Sequence, residues 1–151
     1  MNLPATWHLF GAEHTPFQLL LLAKMIDRVS ARQLVSTYGI SLAEWRVLAF
    51  VCSAGPSSAS EIGAAGEIDR AEISRAVNKL LEGGLITREP SEDNRRRLII
   101  SPTTAGEAQY RKIRDERRAY FQSIMAVIPD EERGRFAQHL QALAEAVGSL
   151  R

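Results

Sequence analysis

The chain has 151 residues, a formal net charge of +1, 45% hydrophobic and 25% charged residues, and a single cysteine. Those values fit one globular domain that can bury its own core, and they exclude disordered and collagen-like chains. The lone Cys52 excludes an internal disulfide and a cysteine-rich metal centre, and the longest apolar run, Val47–Cys52, is only six residues, against the roughly 20 that a membrane span requires. Met1–Phe10 carries no Lys or Arg and so lacks the basic start of a secretory signal. The expectation is a cytoplasmic single domain over residues 1–151 with no membrane partner.

Capping signals divide the chain into six helices. Thr15-Pro16-Phe17-Gln18 places a cap, a proline at the first helical position and a glutamine three residues after the cap, predicting a helix over 16–37. Ser41-Leu42-Ala43-Glu44, Ser58-Ala59-Ser60-Glu61 and Asp69-Arg70-Ala71-Glu72 repeat that logic and predict helices over 42–53, 59–65 and 70–82. In each, a short oxygen side chain accepts from a free amide while the acid reaches back. Gly39, Gly55-Pro56, Gly66 and Gly83-Gly84 supply the breaks. Two β-rich stretches follow, 85–89 and 97–101, separated by the polar turn-forming segment 90–96, which together read as a hairpin. Thr104-Ala105-Gly106-Glu107 then caps a helix over 104–127, and Pro129-Asp130-Glu131-Glu132 opens a last one over 130–149 with acids that suit its dipole.

Short helix, tight turn, longer helix and hairpin form the order of a winged helix-turn-helix: a mainly α fold with a small β-hairpin wing. In the 59–82 unit, Ile62, Ile68, Ile73, Val77, Leu80 and Leu81 supply an inward face. The other face holds Arg70, Glu72, Ser74, Arg75, Asn78 and Lys79. Arg pairs with guanine, Asn with adenine and Ser with either, while Lys79, a turn beyond Arg75, suits a phosphate. At the hairpin tip, Arg95, Arg96 and Arg97 repel one another unless an anion is near, and a tip of this kind reaches an adjacent minor groove. The near-neutral total hides this polarity. Residues 70–118 hold twelve Lys/Arg against eight Asp/Glu, a surplus of four, and the remainder of the chain is net −3. A basic middle is what phosphate attraction requires, although a solvated helix surface gives a similar count.

Glu44-Trp45-Arg46-Val47-Leu48, Ser74-Arg75, Leu80–Ile86 and the run from Asn94-Arg95-Arg96 to Thr103-Thr104-Ala105-Gly106 resemble the multiple antibiotic resistance regulator (MarR) family over roughly residues 16–150. The resemblance implies a homodimeric transcription factor, most often a repressor, released by small ligands or oxidation. It implies a winged helix-turn-helix over 42–101 between dimerisation helices at 16–37 and 104–150. Two positions depart from the family pattern. Asn94 stands where the family usually has Asp, which puts the wing's internal salt bridge in question. Pro102-Thr103 replaces a Leu-Thr pair, a change that a helix start tolerates.

Phe136, Leu140, Leu143, Val147 and Leu150 recur at steps of four and three, a heptad-like seam. Tyr110, Ile113, Tyr120, Ile124 and Ile128 form a second stripe, and Phe17, Leu20, Leu21, Met25 and Val29 a third. A homodimer would bury them and present two reading helices to a near-palindromic duplex. The signal is less legible. A small aromatic effector is the candidate ligand, with Trp45 and Trp7 as pocket walls or, for Trp45, as core. Cys52 reads as a buried thiol before it reads as a redox sensor. His8, His14 and His139 have no metal-ligand spacing, no cofactor motif is present, and no nucleophile stands with a base, so an enzyme is not expected. The competing expectation is a winged-helix protein–protein adaptor that does not bind DNA.

Overall fold

The structure, a computed structural model, describes residues 3–11, 14–66 and 68–150. The order is α1 (Thr15–Tyr38), α2 (Leu42–Ala54), β1 (Ser57–Ser58), α3 (Ala59–Gly66), α4 (Arg70–Glu82), β2 (Ile86–Pro90), β3 (Leu98–Pro102), α5 (Thr104–Met125) and α6 (Asp130–Gly148). The chain divides into two compact units, Met1–Tyr110 and Arg111–Arg151.

In the first unit the caps act largely as expected. Ser41 Oγ accepts from Glu44 N at 3.1 Å. Asp69 Oδ1 accepts from Ala71 N at 2.8 Å and Glu72 N at 3.3 Å, fixing the start of α4. Ser58 and Glu61 form a reciprocal capping box: Ser58 Oγ accepts from Glu61 N, and Glu61 Oε2 accepts from both Ser58 N and its hydroxyl.

Two caps differ from the sequence reading. Thr15 lies inside α1 rather than at its cap; His14 occupies that position without a side-chain hydrogen bond. At α5 the cap is Thr103, not Thr104. Thr103 Oγ1 accepts from Gly106 N at 3.0 Å while donating to Gly84 O at 2.7 Å, a tie available only one residue earlier. The strands begin one residue later than the hairpin pattern predicts, and the sheet has a third strand, β1, that no local β pattern signals.

The sheet order is β1-β3-β2, antiparallel throughout. Ser57 and Ser58 pair with Ile100 and Ile99, so the wing's inner strand is laced to the segment that enters α3. Beneath it lies a core of Val47, Leu48 and Val51 from α2, Ile62 from α3, Ile73, Ala76, Val77 and Leu80 from α4, and Ile86 and Ile100 from the wing. Ile68 and Leu81 of the expected inward face are partly buried against it. Trp45 is core: it is 9% exposed and stacks on Tyr110 with ring centroids 5.8 Å apart. Cys52 is half-buried beside the core, more accessible than its apolar run suggests.

In the second unit Arg133 ties the turn between helices. Its Nε donates to Met125 O at 3.1 Å, which also accepts from Ile128 N, and to Ile128 O at 2.9 Å, bracing the turn that leads out of α5. Of the heptad-like seam, Phe136 is half-buried, whereas the four positions that follow it are exposed in the single chain. Leu140, Leu143, Val147 and Leu150 are 39%, 43%, 62% and 86% exposed, and α6 has no buried residue.

Candidate nucleic-acid interface

The α4 helix sorts its residues into two faces. Ile73, Ala76, Val77 and Leu80 are buried, whereas Arg70, Ser74, Arg75, Asn78 and Lys79 are exposed. The sorting follows from helical periodicity: residues three and four apart share a side, so the apolar set commits the polar set to solvent. Lys79 Nζ lies 3.2 Å from Glu82 Oε2, an exposed pair worth little in stability.

The wing adds three arginines, which the structure treats differently. Arg95 and Arg96 are exposed, with no ion-pair partner among the described residues. Asn94 does not replace the family's carboxylate as a salt-bridge acid. Its Oδ1 accepts from Arg96 N at 3.1 Å, closing a local turn that shapes the tip. Arg97 donates from its guanidinium to Glu61 Oε1, an ion pair 36 residues apart in sequence. Its backbone closes the loop, with Arg97 N donating to Asn94 O at 2.8 Å and Ser91 N donating to Arg97 O at 2.7 Å.

Arg70, Arg96 and Arg97 line one open cleft of about 660 Å³ with Ser58, Ser60 and Glu61. A neighbouring cleft of about 200 Å³ brings Arg70 and Ser74 together with Arg88 and Leu98. Arg75, Asn78, Lys79 and Arg95 line neither. Arg88 was not singled out by sequence reasoning. It sits opposite Ile100 in the ladder, and only that register places it beside α4 residues.

The Glu61 carboxyl is held well below its ordinary value of 4.5, at about 2. The largest cause is the hydrogen bond from Ser58 N, followed by those from Arg97 and the Ser58 hydroxyl; partial desolvation opposes them. A depressed folded-state value means this carboxylate stabilises the fold at pH above about 4.5, and the contribution is lost as pH falls toward 2. The stability gap between the wild type and Glu61→Gln is therefore expected to shrink across that window, as thermal unfolding at stepped pH would measure. A gap independent of pH would contradict it.

An exposed polar helix set beside a basic hairpin defines a winged helix-turn-helix. A MarR-family model matches residues 38–97. A putative transcriptional regulatory protein for the hcr operon of Thauera aromatica is 30% identical over 116 residues, covering 77% of this chain and 70% of that protein. The chain belongs to the MarR family of transcriptional regulators. Its fold is that of a MarR/EmrR family regulator from Acinetobacter sp. ADP1, with a TM-score of 0.80 at 24% identity over 91% of this chain and 96% of that one. Streptococcus pneumoniae FabT, solved in complex with DNA, gives a TM-score of 0.76 at 18% identity over 92% and 99% of the two chains. No single described helix is long and apolar enough to cross a membrane.

Proposed function

We propose that this protein is a sequence-specific regulator that binds double-stranded DNA as a homodimer and acts as a repressor in the cytoplasm. The observation that carries this reading is the exposed row Ser74, Arg75, Asn78 and Lys79 on α4, flanked by a wing with the unpaired Arg95 and Arg96. In this reading residues 42–101 bind the duplex, and 16–37 with 104–150 dimerise within one MarR-like domain. Arg75 and Asn78 read base edges in the major groove, with Arg70, Ser74 and Lys79 beside them, while the wing arginines follow the backbone or adjacent minor groove. The exposed Leu140, Leu143, Val147 and Leu150 support a partner surface in a second copy. A two-fold dimer would bind a near-palindromic site with half-sites about 10 bp apart. Release by a small ligand is the mode of action common in the family.

A gel shift with the DNA upstream of the protein's own coding region tests this reading. Arg75→Ala is expected to cost roughly 1–3 kcal/mol in affinity and to relax base preference. Unchanged affinity and preference would remove Arg75 from the interface. Arg96→Ala is expected to weaken binding to all sequences and lower the salt slope by about one; an identical slope would rule out a phosphate contact. Absence of any shift by the wild type would favour the adaptor reading. Adding phenolic compounds or peroxide to the same assay identifies the releasing signal.

A further inference from the structure

We propose that Glu61 is a positioning residue for the wing: by gripping Arg97 it sets where Arg95 and Arg96 stand relative to the recognition helix. The proposal rests on the DNA-binding reading above for its consequence, and on geometry alone for its mechanism. Glu61 Oε2 is occupied by Ser58 N at 2.8 Å and Ser58 Oγ at 2.9 Å, so the first turn of α3 fixes the orientation of the carboxylate. The other oxygen, Oε1, takes the Arg97 guanidinium. From Arg97 the bonds continue into the tip, through Arg97 N to Asn94 O and from Ser91 N to Arg97 O. Asn94 Oδ1 then holds Arg96 N.

The β-ladder cannot do this work, because its register ends at Pro90 opposite Leu98. Beyond that point, no other side-chain hydrogen bond joins residues 91–97 to a helix among the described residues. The pair is half-exposed, so its contribution to global stability is modest. Its leverage is geometric: it is applied at the root of a loop whose two outer arginines carry no partner of their own.

The position of Glu61 makes the test discriminating by sign. Glu61 is a negative charge in a cleft lined by Arg70, Arg96 and Arg97, so charge alone predicts that Glu61→Gln tightens binding to a polyanion. Positioning predicts the opposite. Full-length wild type, Glu61→Gln, Arg97→Gln and the double variant are compared by fluorescence anisotropy on the upstream duplex. Amide hydrogen exchange is followed at Ser91 and Arg97 in the DNA-free proteins. Each single variant is expected to lose about three- to tenfold in affinity, with the double no worse than either, since both break one link. Exchange at both amides is expected to quicken in each single variant. Arg97→Gln leaves the α3 cap untouched and so separates loss of the link from loss of the helix start. Tighter or unchanged binding by Glu61→Gln, additive losses in the double variant, or unaltered exchange would each overturn the proposal. If the wild type binds no duplex, the DNA-binding reading fails, and the exchange comparison by itself decides whether Glu61 positions the wing.

Discussion

Replacing Gly106 by alanine is expected to destabilise the protein by about 3 kcal/mol, the upper end of what an added methyl group typically costs. A Cβ at this position would lie 1.9 Å from Leu85 O and 2.9 Å from its carbonyl carbon. Those are backbone atoms, so no side-chain rotation relieves the overlap. Leu85 cannot simply retreat, because its carbonyl accepts from Thr103 N at 3.1 Å and its own amide donates to Leu80 O. Relief requires moving α5 away from the root of the hairpin, which strains the Thr103 hydrogen bonds to Gly84 and Gly106. Chemical denaturation of the alanine variant would measure the loss; a midpoint equal to wild type would mean that the helix start adjusts without cost.

The second large effect is expected at Leu80. This side chain is 1% exposed and sits in the core with residues from α2, α3 and the wing. Leu80→Ala removes its methyl groups and leaves a void that tightly packed neighbours fill only in part, a loss of about 2–5 kcal/mol. The contrast with Arg75 is instructive, since the two lie five residues apart on the same helix. Arg75 is exposed, so Arg75→Ala is expected to leave the unfolding midpoint nearly unchanged while weakening DNA binding. Leu80→Ala is expected to lower the midpoint and to affect binding only as the folded fraction falls. A Leu80→Ala midpoint within error of wild type would show that the site collapses, and that the helix is held mainly elsewhere.

The helices were legible because their signals are local. Ser41, Ser58 and Asp69 each act on an amide within three residues, and the buried set on α4 follows a period visible in thirteen residues. What escaped was decided by partners distant in the chain. β1 is two serines whose strand character comes entirely from Ile99 and Ile100. Nothing between Thr103 and Thr104 distinguishes them locally; Gly84 O, 19 residues away, makes the choice. The three wing arginines look equivalent as a run, and the structure separates them by giving one of them Glu61. The capping box at Ser58 correctly placed Glu61 at the start of α3, but a box accounts for only one of its two oxygens.

Thr103 ties together two helices that are far apart in the chain. One residue joins the glycine turn after α4, through Gly84, to the first turn of α5, through Gly106, while its amide holds Leu85. Although the whole wing lies between them in sequence, the start of α5 and the turn after α4 are joined directly through this residue. Thr103 thus acts as a rivet: with three hydrogen bonds, all through one residue, it pins the first turn of α5 to the turn that closes α4.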